Sequence, residues 1–131
     1  MKPLIFSYKT YHQLTYPIIT IEVRGANVIR NIDAYVDSGA TYSIFSVEEA
    51  SRLKIPFLKG KEINIKVGDG NSIPVYIHTL PVRIGHVSFK ATIGFSHRLG
   101  VGFNIIGRMD FFERFDITFS EARRRVILYP R

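Results

Sequence analysis

The chain has no cysteine among its 131 residues, so it can form no disulfide, offers no thiolate nucleophile and cannot build a zinc site on sulfur. It also lacks an apolar run of the roughly eighteen residues that a membrane-spanning helix needs. The opening segment, Met1 to Ser7, has an apolar patch too short for a secretory leader, and Tyr8-Lys9 interrupts it, so a cytoplasmic location is expected. Glutamine occurs once, at Gln13. With the missing cysteine and the many Ile and Arg residues, this points to a heat-stable protein. Acidic residues are scarce too: 11 against 18 Lys and Arg, a net charge of +7 and a pI near 9.9. Such an excess can serve an anionic partner, nucleic acid above all. Here the basic residues are spread along the chain, and the one dense cluster is Arg123-Arg124-Arg125. Nucleic acid is therefore not expected as the main partner.

What is present is a sequence with the size and composition of one packed domain: 46% hydrophobic, 22% charged, with no internal repeat and no linker. Apolar residues alternate with polar ones at a period of two. Ile19, Ile21 and Val23 do so, as do Ile32, Ala34 and Val36, Ile63, Ile65 and Val67, Val87, Phe89, Ala91 and Ile93, and Ile117 with Phe119. This is the signature of strands with one buried face, and a helical period would not repeat it. Turn formers separate the runs: Gly25-Ala26-Asn27, Gly68-Asp69-Gly70-Asn71, Gly85-His86 and Glu121-Ala122-Arg123. The expected strands cover 18–24, 28–36, 42–45, 61–67, 72–80, a run ending at Ile84, 87–94, 103–106, 115–120 and 125–129. Two short helices interrupt them. Ser46-Val47-Glu48-Glu49 reads as a capping box opening a helix that stops before Pro56. Arg108 to Arg114 reads as a second helix of about two turns, with Met109, Phe112 and, as a further candidate, Phe111 turned inward. Residues 1–17, with Phe6, Tyr8, Tyr11 and Tyr16, form an N-terminal arm or strand ahead of a single domain over 18–131. The fold class is all-β.

One stretch carries chemistry. Ala34-Tyr35-Val36-Asp37-Ser38-Gly39-Ala40 drives a lone carboxylate from an apolar strand into a turn of the smallest residues. A carboxylate at the end of a buried strand is costly unless something holds it, although Asp-Ser-Gly is also an ordinary surface turn. The context favours more than a turn. A strand leaves it and leads into the capped helix, a long glycine-tipped hairpin follows, and Phe103-Asn104-Ile105-Ile106-Gly107 ends in glycine just before the second helix.

This order resembles the retropepsin-like aspartic proteases, the single-lobe class that includes the retroviral enzymes. The resemblance covers roughly residues 18 to 129 and rests on the Asp37 loop together with Asn104-Ile105-Ile106-Gly107-Arg108. It implies a single-lobe acid-protease-like closed β barrel with a flap hairpin. It also implies an aspartic endopeptidase in which two carboxylates activate a water, with no metal and no cofactor. The chain has one Asp-Ser-Gly and no Asp-Thr-Gly, so the second carboxylate would come from a second copy, in a homodimer with Asp37 meeting Asp37 on the two-fold axis. In this reading Asp37, Ser38 and Gly39 are the catalytic set: Ser38 bonds across the axis, and Gly39 brings a backbone N–H to the carboxylate. Ala40 leaves room for the substrate backbone, Gly68, Asp69, Gly70 and Asn71 form the flap tip, and Ile44 and Ile105, with Val75 and Ile77, line apolar subsites. The substrate is a peptide or unfolded protein.

Two departures bear on the dimer. Thr41 stands where the retroviral enzymes carry an Asp that pairs with the Arg of the Ile-Ile-Gly-Arg segment, which leaves Arg108 without that partner, and the N-terminal arm is long. Val126 to Tyr129 is the apolar candidate for an interface. Among other chemistries, His12, His78, His86 and His97 show no helical pair at ligand spacing, and no Gly-x-Ser-x-Gly elbow is present. The alternative function is a catalytically inactive β-barrel binding module that uses its basic surface for nucleic acid.

Overall fold

Most of the alternating apolar residues become strands that share one interior, while Ile63 and Ile65 join a smaller cluster and Phe119, expected on a buried face, is exposed. A computed structural model describes residues 2–66, 70–99 and 102–131. Its elements in chain order are β1 (Leu4–Ser7), β2 (Lys9–Tyr11), β3 (Leu14–Tyr16), β4 (Ile18–Arg24), β5 (Ile29–Val36), β6 (Ser43–Ser46), α1 (Val47–Arg52), β7 (Lys61–Lys66), β8 (Ser72–Ile84), β9 (Val87–Ser96), β10 (Ile105–Ile106), β11 (Phe115–Ser120) and β12 (Arg125–Pro130). Seven strands form a sheet in the order β4-β5-β10-β6-β9-β8-β7, and β4 also pairs with β8, which closes six of them into a ring. The pairs β5–β10 and β6–β9 are parallel, and the other pairs in the ring are antiparallel. Closure removes the edges of the ring strands, while β7 extends from β8 as a hairpin arm.

Register places the alternation inward. Ile19 faces Ala34 and Ile21 faces Ile32 across β4–β5, and all four are buried. Phe45 and Phe95, opposite each other on β6 and β9, meet edge to face at 6.3 Å and are fully buried. Each such ring contributes about 2–3 kcal/mol by leaving water. Ala50 and Leu53 close this core from α1 and its C-terminus. A smaller cluster of Ile44, Ile73 and Val75, joined by Tyr42, Ile63, Ile65 and Ile77, sits where the β7–β8 hairpin leaves the ring. Among the described residues no helix is long and apolar enough to cross a membrane.

Both helix expectations need correction. Ser46 is the N-cap of α1 but makes no side-chain cap bond. Its N–H donates to Asn104 Oδ1 (3.0 Å), while Glu49 accepts from Asn104 Nδ2 (2.9 Å) and Arg52 Nη1 (2.8 Å). The two halves of the capping box are thus bridged by a side chain from far along the chain. The segment 108–114 is a run of turns ending in a single 3-10 turn, Phe112–Arg114. Asp110 stops a helix there, because its backbone is left-handed at φ +66°. That conformation is held by bonds in both directions. Asp110 Oδ2 accepts from Thr92 N–H (2.6 Å), and Asp110 N–H donates to Glu113 Oε1 (2.7 Å). Of the two rings expected inward, Phe111 is fully buried and Phe112 packs partly buried against the core. The strands expected at 72–80 and up to Ile84 are one strand, β8, and the strand expected over 103–106 shortens to Ile105–Ile106.

The N-terminal arm is three short strands. β1 pairs with β12, which pairs on its other side with β11. Val126 to Tyr129, the apolar stretch expected at an interface, lies in β12, both of whose edges are paired within the chain, and Val126 and Leu128 are core residues. β2 and β3 form a hairpin pinned to the outer face of the ring, where Asp33 Oδ1 accepts from Lys9 Nζ (2.8 Å) and Thr20 Oγ1 (2.5 Å), and Asp33 Oδ2 accepts from Tyr11 OH (3.1 Å). Burial pushes the Asp33 carboxyl up, but the bonds from Lys9, Thr20 and Tyr11 outweigh it and hold it below the usual carboxylate range. A depressed folded value means that Asp33 adds stability above the usual carboxylate range and loses it as pH falls through the folded value. The group is part exposed, so the contribution is at most about 1 kcal/mol. Urea midpoints at pH 6 and at pH 2.5 are expected to differ less in Asp33→Asn than in the native chain, and an equal difference in both would refute the assignment.

Candidate active site

Val36 points into the core at the end of β5, so strand alternation turns Tyr35 and Asp37 to the other face. The backbone is fixed on both sides of this step. Val36 N–H donates to Pro17 O (2.9 Å) and Asp37 N–H to Ile106 O (2.9 Å). The chain then reverses, with Ala40 N–H on Asp37 O (3.2 Å) and Gly39 N–H on Asp37 Oδ1 (2.9 Å). A donor two residues on orients the carboxylate as an Asx-type turn does. Asp37 and Ala40 are half-buried, and Ser38 and Gly39 are exposed.

The far side of this loop is stitched to residues 107–109. Arg108 N–H donates to Ala40 O (2.8 Å) and Met109 N–H to Thr41 O (2.9 Å). The Arg108 guanidinium donates to Ser38 O (2.8 Å) and to Thr41 Oγ1 (3.0 Å). Arg108 is therefore not left without a partner: the Thr41 hydroxyl and a loop carbonyl receive it. Gly107 N–H donates to the buried Ser43 Oγ (2.9 Å). A Cβ on Gly107 would lie 2.5 Å from Tyr42 O and 2.9 Å from Ala40 O, so only glycine lets this segment pass behind the loop. Asn104 adds a clamp from the same segment, because its Nδ2 donates to Asp33 O (3.1 Å) as well as to Glu49.

Asp37 opens onto a cleft of about 210 Å³ lined by Tyr8, Tyr35, Ser38, Phe119 and Glu121 among others. Tyr8 OH stands 3.5 Å from Glu121 Oε1. Burial, then the carboxylates of Asp37 and Glu121, push the Tyr35 phenol up, so it keeps its proton. Tyr8, Phe119 and Glu121 carry no sequence signal for this site. They reach it only through the β1–β12–β11 sheet and the turn after β11.

The residues expected for substrate binding are placed unevenly. Ile44, Val75 and Ile77 meet in the small apolar cluster. Ile105 lies beside Ile44 in the β10–β6 pairing and beside Tyr35 in the β10–β5 pairing. Gly70, at φ +86°, and Asn71 are exposed just before β8. Gly68 and Asp69 lie outside the described residues. Among the described residues no group of three or more His, Asp or Glu gathers to hold a metal ion. The site offers one carboxylate oriented in a fixed loop, a second from Glu121 in the same cleft, and a neutral phenol beside them.

No protein-family model matches the chain, and no curated protein sequence matches it. Solved structures do. The chain superposes on a retropepsin-like aspartic protease from Rickettsia conorii with a TM-score of 0.67 at 23% identity, over 98% of this chain and 90% of that one. It superposes on EIAV protease, complexed with the inhibitor HBY-793, with a TM-score of 0.56 at 17% identity, over 76% and 88% of the two chains. The fold is retropepsin-like, and both of these structural neighbours are proteases, the first of them an aspartic protease.

Proposed function

We propose that the chain is an aspartic endopeptidase that works as a homodimer, each copy supplying one Asp37 to a shared pair of carboxylates. The observation that carries this reading is the Asp37 loop: a half-buried carboxylate, oriented by Gly39 N–H, in a backbone held by Ile106 and Arg108, on a fold whose solved neighbours are proteases. The chain has one Asp-Ser-Gly and no Asp-Thr-Gly, so one copy supplies half of the pair.

Two carboxylates in contact cannot both ionise cheaply, and the pair holds one proton. The ionised member takes a proton from a water whose oxygen attacks the peptide carbonyl carbon. The protonated member donates to the carbonyl oxygen. The tetrahedral intermediate then collapses, the C–N bond breaks, and the leaving nitrogen takes up a proton. Gly39 N–H keeps Asp37 in position, the Ser38 hydroxyl bonds to the partner's loop across the axis, and Ala40 leaves space for an extended peptide. That peptide pairs as an added strand beneath the β7–β8 hairpin, which acts as a flap with Gly70 and Asn71 just ahead of β8. Ile44 and Ile105, with Val75 and Ile77, receive apolar side chains. Both edges of β12 are occupied in its own chain, so a partner cannot pair with that strand without displacing β1 or β11.

The dimer makes activity depend on concentration. Specific activity against an unfolded protein is expected to fall on dilution, over the range in which sedimentation shows dimers giving way to monomers. A chain that is monomeric and equally active at every concentration would overturn the dimer and move the second carboxylate to Glu121.

A further inference from the structure

Tyr35 stands between two clefts. One holds Asp37. The other, of about 540 Å³, runs along the outer face of β4 and β5 and is lined by Tyr11, Asp33, Tyr35, Glu49, Phe103 and Asn104 among others. Its volume is in the range of sites that enclose a ligand group, roughly 300–1,000 Å³. The β2–β3 hairpin contributes Tyr11 to its lining. Tyr11 meets Phe103 edge-on at 5.6 Å, Tyr16 meets Phe103 at 5.0 Å, and Tyr35 lies nearly parallel to Phe103, at 15° and 6.1 Å. Ile18, on the floor, is 1% exposed.

The carboxylates in this cleft are already matched. Asp33 is paired with Lys9 at 2.8 Å, and Glu49 with Arg52 at 2.8 Å, with Asn104 on its second oxygen. A charged ligand would find these charges compensated, whereas the rings present faces and edges that another aromatic ring can extend. An occupant of one cleft lies beside the other, because both include Tyr35.

We propose that the larger cleft is a secondary substrate site. It takes an aromatic side chain of the same polypeptide whose scissile bond lies at Asp37, and the β2–β3 hairpin creates it. This rests on the protease reading above. The test uses pairs of peptides with one cleavable core, differing only in Trp or Ala at a single flanking position, across a series of spacings. Binding is measured to the Asp37→Asn protein, and turnover to the native enzyme.

At one spacing the Trp peptide is expected to bind about tenfold more tightly than its Ala partner, and in turnover the difference is expected in KM rather than kcat. Tyr11→Phe keeps the preference, since the ring is retained, and Tyr11→Ala loses it. Equal binding of Trp and Ala peptides at every spacing would overturn the site, and that comparison needs no variant in the cleft. A preference that survives Tyr11→Ala would overturn the role of the hairpin. Failure of the native enzyme to cut either peptide would count against the protease reading alone, because the binding difference is read on a protein that does not need to turn over.

Discussion

Asp37→Asn is expected to leave the chain folded and to abolish peptide cleavage. Asn has the shape of Asp and keeps an oxygen for Gly39 N–H, which bonds to Asp37 Oδ1 at 2.9 Å. The other anchors of the loop are backbone bonds to Ile106 and from Ala40, and the substitution leaves them in place. Asp37 is half-buried and has no cationic partner among the described ion pairs, so neutralising it strands no opposite charge. The effect falls on chemistry. An amide cannot take a proton from water, and in a homodimer the substitution enters both halves of the pair at once. General acid–base catalysis contributes about 10²–10⁴-fold, so a loss of at least about 10³-fold is expected. The check is cleavage of an unfolded protein from pH 4 to pH 8, with circular dichroism to confirm the fold. Cleavage within about tenfold of the native rate across that range would sink the proposed function.

Gly107→Ala is expected to cost the most stability of any single methyl added near the site. The new Cβ would stand 2.5 Å from Tyr42 O, 2.7 Å from Tyr42 C and 2.9 Å from Ala40 O, and all three are backbone atoms that no side-chain rotation can move aside. Relief requires the 105–108 segment to shift. That shift strains the parallel pairing of Ile106 with Val36, the Ser43 Oγ bond and the Arg108 bond to Ala40 O together. Overpacking of this kind costs about 3 kcal/mol, which for a chain of this size lowers the melting temperature by about 10 °C. Because Arg108 N–H and its guanidinium hold Ala40 and Ser38, activity is expected to fall further than the loss of folded protein explains. A thermal melt within about 2 °C of the native chain would show that the segment is free to move, and that the close approach does not fix the loop.

Much of the barrel could be read from residue order. The strands at 18–24, 61–66 and 115–120 announce themselves by alternation, and alternation is a local property: it needs only one face to be apolar. The Asp37 loop and Gly107 were legible for a similar reason, as short runs of small residues at the ends of apolar strands. The errors lie where a distant residue intervenes. Ser46 and Glu49 have the spacing of a capping box, but Asn104 takes both of their bonds. Residues 108–114 have helical composition, but Thr92 on β9 holds the carboxylate of a left-handed Asp110. No window on either segment contains the residue that decides it.

By itself the sequence determined the β class, the turn that carries the carboxylate, the supply of one Asp-Ser-Gly per chain and the exclusion of sulfur chemistry. Only the tertiary structure decided what surrounds that carboxylate. Arg108 braces Ser38 and Thr41, Tyr35 and Glu121 share its cleft, and the hairpin of Tyr11 lies over the outer face of the barrel. The physical reason is one of range. Alternation and turn propensity act over a few residues, whereas these contacts join segments brought together by closure of the ring and by the β1–β12–β11 sheet packed beside it.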